Sequence, residues 1–319
     1  MKRDEMLDFD RIKTYPLKKR KSRVNKSELA GICPINCDVN ELIYSLPNIL
    51  IGKDFKNLIK SLIKSHRNKK KIVIMMGAHV IKCGLSPIII DLVKRELISA
   101  IAFNGACLIH DFELAFAGKT SEDVADGVSN GSFGMAEETG SILNGWIVEA
   151  ANRGLGIGQL VGRKINREKL EYRDLSIASC CELSGIPLTV HIAIGCDIIH
   201  QHPKFDGSAT GRATGIDFRR FCSVISQLAD GVVINMGSCV VLPEVFLKAI
   251  TVARNLGHRV DNFIAANFDM KPQYRPLQNI LIRPLKGKRS KGYNFIGHHE
   301  IMIPLLAAGL KAELSKRGK

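Results

Sequence analysis

The stretch KIVIMMGAHVIKCGLSPIIIDLVKRELISAIAFNGACLIHDFELAFAG, Lys71 to Gly118, decides the fold. It begins with an apolar run, Ile72 to Met76, that breaks at Gly77. Apolar residues at helical spacing follow from about Leu85 to Glu96, with Pro87 tolerated in the first turn. A second apolar run, Ile98 to Phe103, breaks at Asn104-Gly105, and another helical segment follows. Two short buried-type strands joined by a helix within about 30 residues are the signature of a βαβ unit. Each strand ends in glycine or small residues, where an open parallel sheet places its ligands.

The same alternation continues downstream. Spacing predicts helices over 136–152, 174–184, 218–228, 243–255 and 300–314. Apolar runs predict strands over 186–193, 231–236 and 261–267, with a short one at 279–282. Gly127 to Met135 and Asp206 to Gly211 read as polar loop and turn. The glycine-dense Gly154 to Gly158 follows no strand and reads as a turn, with phosphate approach as the alternative. Strands alternating with helices predict an α/β protein with a mostly parallel sheet and helices on both faces. Upstream, an amphipathic helix is expected around 55–65. Residues 1–40 read as an extended basic arm with KKRKSR (Lys18 to Arg23) at its centre, and 41–319 as a single α/β domain.

At 319 residues the chain can bury a substantial core. No apolar run approaches the roughly 18 residues of a membrane-spanning helix. The N-terminal MKRDEMLDFDRIK has no apolar segment of the secretory type, so a cytoplasmic location with reduced thiols is expected. The nine cysteines include one C-x3-C pair, Cys33 and Cys37, without a second pair to complete a zinc site. The net charge of +15 is uneven. Residues 1–27 carry ten Lys and Arg against four acids, 53–71 eight against one, and 283–319 nine against two. The middle of the chain is therefore acidic. The basic segments suit an acidic protein or RNA, or simply form a solvated surface.

Three strand ends could converge on one crevice: Gly77-Ala78-His79, Asn104-Gly105-Ala106 and Asn235-Met236-Gly237-Ser238. Small residues there let backbone N–H groups approach a phosphate, although none of the three is G-x-G-x-x-G. Acids and histidines form two clusters. His110, Asp111 and Glu113 follow the second strand, while His191, Asp197, His200, His202 and Asp206 surround another strand end. A histidine beside a carboxylate can exchange a proton near neutral pH. The same groups could ligate a metal, hold a cationic amine, or cap turns without any chemistry.

Gly77 to Gly118 resembles the deoxyhypusine synthase family, in which a small-residue turn leads into a helix and then a strand. The resemblance runs on through Ser184-Gly-Ile-Pro-Leu188, Gly195-Cys-Asp197, Asn235 to Val241, Tyr274-Arg-Pro276 and Ile303-Pro-Leu-Leu306, over roughly 70–310. It implies a Rossmann-like NAD-binding domain, assembled as a homotetramer. The implied chemistry is oxidation of a polyamine with NAD and transfer of its aminobutyl group through a lysine imine. Gly77 to Gly84, Asn104 to Ala106 and Gly237-Ser238 fall on the family's cofactor turns, so Gly77, Ala78, His79, Gly84, Asn104, Gly105, Ala106, Gly237 and Ser238 are the expected NAD contacts. Asp197 falls on an aspartate that holds the polyamine. The family's SWGK segment, which carries the imine-forming lysine, corresponds to Leu281 to Pro284, with Lys286 the nearest lysine and Lys288 the next. His298-His299-Glu300 stand in place of a late acidic contact.

The expectation is a divergent NAD-dependent aminobutyl transferase or oxidoreductase acting on a polyamine-like amine. Asp197 would hold the substrate, His110 or His191 would move protons with Asp111 and Glu113 as partners, and Lys286 would form the imine. Alternatives are a metal-dependent hydrolase using the 191–206 cluster, and a non-catalytic binding protein on the same fold.

Overall fold

In the computed structural model, which describes residues 6–315, β1 (Ile72–Met76) and β2 (Ala100–Asn104) lie parallel, with Val73 opposite Ala100 and Met76 opposite Phe103. The helices α1 (Val39–Ser45) and α2 (Leu50–Arg67) precede them, and α3 (His79–Lys82) and α4 (Ser86–Lys94) join them. After β2 come α5 (Gly105–Ala117), α6 (Val124–Asn130), α7 (Glu137–Asn152), α8 (Ile157–Arg167) and α9 (Ile177–Leu183). The chain then runs β3 (Leu188–His191), α10 (Gly207–Ile225), β4 (Val232–Met236), α11 (Val241–Asn255), β5 (Ile264–Asp269), α12 (Tyr274–Asn279), β6 (Lys291–Ile296) and α13 (His299–Ser315). Among the described residues before α1, 6–38, the elements are three short 3₁₀ turns.

All pairings are parallel, and the strand order is β3-β2-β1-β4-β5-β6. Chain direction across the sheet reverses between β1 and β4, the doubly wound order of a Rossmann-like fold. A parallel sheet must be covered on both faces, so its central strands are buried at every position rather than alternating. Accordingly all five residues of β1 and of β4 are buried. Successive side chains point to opposite faces. Ile72, Ile74 and Met76 share one core with Leu58 and Leu62 of α2, while Val73 and Met75 share the other with Phe221 of α10 and Phe246 of α11. Among the described residues no helix is long and apolar enough to cross a membrane.

Four local expectations are corrected. The strand expected at 279–282 is instead the end of α12 and a turn, and the sixth strand lies at Lys291–Ile296. Only Tyr293 and Phe295 of that edge strand are buried, so it shows little apolar run. Gly154 to Gly158 leads into α8, a helix whose close packing rests on glycine. A Cβ at Gly158 would overlap the Leu188 carbonyl, and one at Gly162 would lie 2.6 Å from the Ala178 carbonyl oxygen. Asp206 to Gly211 is the start of α10, with Asp206 Oδ1 accepting from the Ala209 amide at 2.9 Å. Half of the loop expected over Gly127 to Met135 belongs to α6, which ends at Gly131 in the left-handed conformation.

Candidate active site

The three strand-end turns singled out in the sequence, after β1, β2 and β4, lie at the carboxyl edge of the sheet. Between β1 and β4 the backbones touch. The Gly77 amide donates to the Met236 carbonyl at 2.9 Å, and a Cβ on Gly77 would overlap the Gly237 carbonyl. Gly237 itself has φ +66°, a conformation that favours glycine. Around this switch point lie His79 and His299, ring centroids 5.6 Å apart, together with Asp269 at the end of β5. His299 is 1% exposed with Nδ1 unpartnered, and burial together with His79 pushes its imidazole down. Oδ2 of the buried Asp269 also lacks a partner. Buried polar atoms left over in this way suit a polar ligand in the crevice.

One strand over, the end of β2 builds a different environment. The Asn104 side chain caps α5 by accepting from the Cys107 amide at 2.9 Å. Gly105 then leaves room for a carboxylate from elsewhere in the chain: a Cβ there would overlap Oδ2 of Asp197. Burial pushes the Asp197 carboxyl up to about 6, against the Ala106 amide that donates to it. Near neutral pH it carries most of a negative charge at the positive end of a 13-residue helix.

His110 and Glu113 stand one turn apart on α5. Thr120 Oγ1 donates to Glu113 Oε2 at 2.5 Å and lies 2.6 Å from His110 Nδ1. The hydroxyl has one proton, which goes to the carboxylate, so Nδ1–H of His110 must be the donor to Thr120. That tautomer leaves Nε2 as a proton acceptor. Thr139 Oγ1 also donates to Glu113, at 3.1 Å. Burial pushes the Glu113 carboxyl up, but hydrogen bonds from His110, Thr120 and Thr139 outweigh it and hold the group below the usual range. The result is an ionised glutamate orienting a histidine through a threonine.

These groups line a cavity of about 710 Å³, within the range of small-molecule sites. His110, Glu113, Asp197, Glu122 and Glu138 contribute polar atoms, while Phe112, Phe116 and Phe133 form apolar wall. Lys82 of α3 also reaches it. The expected cofactor residues therefore divide. Ala106 lines this cavity, whereas Gly77, Gly237 and Ser238 belong to the switch point beside it, and Gly84 lies in the turn after α3.

Other expected site residues lie elsewhere. Asp111, 0% exposed, accepts from Ser176 Oγ (2.6 Å) and from the Ile177 and Ala178 amides, so it caps α9 and faces away from the cavity. Burial raises it to about 6 against those bonds. His191 is buried against Phe221, shares a 3.0 Å hydrogen bond with Thr189, and burial holds it down to about 3, leaving it neutral and inaccessible for proton transfer. Lys286 is exposed in the turn before β6, its carbonyl accepting from the Asn262 amide. That places it at the amino edge of the sheet, about 16 Å, one five-residue strand length, from the glycine turns. His200 Nδ1 accepts from the Gly195 and Asp197 amides, and His202 lies 3.3 Å from Glu137. Among the described residues no group of three or more His, Cys, Asp or Glu could hold a metal.

Sequence reasoning missed Thr120, Thr139 and Asp217. The first two sit in ordinary polar segments, and only the tertiary fold brings their hydroxyls to Glu113. Asp217, 0% exposed on α10, accepts from the Gly158 and Val190 amides at 3.1 and 3.0 Å. Gly156 permits this, since a Cβ there would overlap Asp217 Oδ1. The glycine-dense run thus admits a carboxylate of the chain itself rather than a phosphate.

No protein-family model matches the chain, and no curated protein matches it in sequence. Solved structures do. An arginine dihydrolase of the cyanobacterial ornithine–ammonia cycle, ArgZ, is 16% identical with a TM-score of 0.50 over 83% of this chain and 33% of its own. AgrE in complex with ornithine and NAD+ is 13% identical with a TM-score of 0.53, over 83% of this chain and 33% of its own. A candidate deoxyhypusine synthase from Entamoeba histolytica is 12% identical with a TM-score of 0.53, over 87% of this chain and 94% of its own. The chain spans about a third of the length of ArgZ and AgrE. At these identities the likeness is one of fold.

Proposed function

We propose that this chain is an NAD-linked oxidoreductase acting on a polyamine-like amine. The observation that carries the reading is the cavity beside α5, where Asp197, Glu113, Glu122 and Glu138 gather carboxylates around an apolar wall next to an oriented histidine. Such a lining suits a substrate with ammonium groups separated by methylenes: the carboxylates hold the charges and the phenylalanines cover the chain.

Asp197 and Glu113 would fix the amine, and His110 Nε2 would take the proton that leaves its nitrogen. Glu113, ionised, would stabilise the imidazolium through Thr120. NAD, when bound, supplies the hydride acceptor. Gly77, Ala78, His79, Gly237 and Ser238 would hold it at the switch point, where the unpartnered His299 Nδ1 and Asp269 Oδ2 offer it polar contacts. The complex of AgrE with ornithine and NAD+ pairs the same cofactor with an amine ligand on a similar fold. Aminobutyl transfer through a lysine imine is not part of the proposal, because Lys286 stands at the opposite edge and the Lys82 side chain is exposed.

The test is direct incubation of the full chain with NAD and spermidine, putrescine or ornithine, following NADH absorbance, with thermal melting in parallel. Turnover of at least one amine and a rise in Tm with NAD are expected. Neither turnover nor a Tm shift would overturn the proposal.

A further inference from the structure

The edge of the sheet opposite the cavity gathers basic segments that are far apart in sequence. Lys69, Lys70 and Lys71 lead into β1, and Lys286, Lys288 and Lys291 lead into or open β6. Register brings them together: the Val232 amide bonds the Lys71 carbonyl, the Asn262 amide bonds the Lys286 carbonyl, and Ile264 of β5 pairs with Lys291. From β1 to β6 is three strand steps, about 15 Å at roughly 4.8 Å each. Lys60, Lys64 and Arg67, on exposed positions of the last turns of α2, continue the surface for about 10 Å more at about 1.5 Å per residue.

The charge at this edge is uncompensated. The aspartates that lead into β4 and β5 are already taken, Asp230 by Arg289 at 2.8 Å and Asp261 by Arg259 at 3.4 Å. Among the described residues none of the six lysines pairs with a carboxylate within 4 Å. Like charges gathered without counter-ions destabilise a fold slightly and attract polyanions strongly. The cavity at the opposite edge is lined by Glu113, Glu122, Glu138 and Asp197 against Lys82 and Lys119, so a polyanion is steered to the amino edge.

We infer that this amino edge binds the phosphate backbone of a nucleic-acid duplex without reading its sequence. Lysines are flexible point charges that suit phosphates. Among the described residues the exposed ring beside these basic groups is Tyr44, 44% exposed with Lys60 Nζ 6.0 Å from its centroid, too little for the successive bases that single-strand binding stacks. An acidic protein partner would need a buried apolar or aromatic centre, whereas the exposed large hydrophobics toward this edge, among them Leu183, Leu256 and Ile282, stand singly on separate elements. The inference is independent of the proposed oxidoreductase chemistry.

Fluorescence anisotropy of the full chain with labelled RNA and DNA duplexes of about 20 base pairs tests it. Six phosphate contacts predict a slope of log affinity against log salt of about −5, a loss of roughly 10³-fold between about 50 and 200 mM. K286E/K288E/K291E should lower the slope's magnitude by about 3, and K69E/K70E, on a separate segment, by about 2. Lys119→Glu at the cavity edge is the control and should leave the slope unchanged. Equal affinity for RNA and DNA means the backbone alone is read; a preference means duplex shape is read as well, and both support the inference. It is overturned if neither lysine variant changes the slope while circular dichroism shows both folded. Equal weakening by Lys119→Glu, tighter binding of a single strand, or displacement by polyglutamate at equal charge also overturns it.

Discussion

The Asp197 carboxylate occupies the space that a side chain at Gly105 would fill, so one glycine seats the acid on the N-terminus of α5. Gly105→Ala should expel it. The expected result is a loss of stability of about 1–3 kcal/mol from overpacking and at least a tenfold weaker affinity for the amine. Gly145, exposed within α7 with open space around its Cβ, is the contrast. Gly145→Ala should stabilise by about 0.5–1 kcal/mol through helix propensity alone. Urea unfolding and amine titration of both variants distinguish a seated carboxylate from a generic helix effect.

Thr120→Val keeps the shape of the side chain and removes the hydroxyl that joins His110 to Glu113. It should lower kcat by about 10²-fold, the lower range for general acid–base catalysis, while the Tm shift with NAD stays as in the wild type. A variant that loses NAD binding and turnover together would place Thr120 in the cofactor site instead.

The parts of this fold that could be read from sequence are those where burial is written in apolar side chains. β1, β2 and β4 are covered on both faces and therefore read as mainly apolar runs, with Asn235 the polar residue inside β4. α8 was hidden because two of its buried positions are Gly158 and Gly162, whose contribution is close backbone approach, and glycine reads as a break. β6 was hidden because an edge strand needs few apolar residues. At the site, His110, Glu113 and Asp197 were singled out as acids and histidines near strand ends, and the fold brings these three to one cavity. Thr120 and Thr139 were not legible, since a threonine in a polar segment acquires its role only from what folds against it. His191 and Asp111 misled for the opposite reason: a titratable residue near a strand end looks reactive until its burial and its hydrogen bonds are known.

Asp217 sets a pH dependence. Burial raises its carboxyl to about 7, despite the Gly158 and Val190 amides that favour the charged form. An unfolded aspartate titrates near about 4. Between those values the native chain keeps a proton that the unfolded chain has lost, so this group's stabilisation is full below about pH 4 and is lost as pH rises through about 7. Asp111 and Asp197, each raised to about 6, act with the same sign over a lower window. Asp217→Asn, which keeps an acceptor for the two amides without a charge, should flatten the profile. It should match the wild type near pH 4 and exceed it near pH 8 by on the order of 1–4 kcal/mol in urea unfolding. The Asp197 titration adds a functional arm: affinity for the cationic amine should strengthen as pH rises through about 6.

Asn267 ties the edge strand to the sheet. Its Oδ1 accepts from Asn235 Nδ2 at 2.8 Å, and its Nδ2 donates to Asn294 Oδ1 at 2.9 Å, so three asparagines in register link β4, β5 and β6. Asn267→Asp keeps the acceptor and removes the donor, leaving the Asn294 carbonyl oxygen facing a carboxylate. A buried acceptor without its partner costs about 1–3 kcal/mol, and a buried charge costs more. The loss should be local. Hydrogen exchange should quicken first in β6 and in the start of α13, with β1 and β2 unchanged, because β6 is paired on one side only. Since His299 opens α13, the same variant should weaken the NAD-induced rise in Tm while leaving amine binding at Asp197 intact. If β1 and β2 exchange as fast as β6, the asparagines hold the whole sheet rather than its edge.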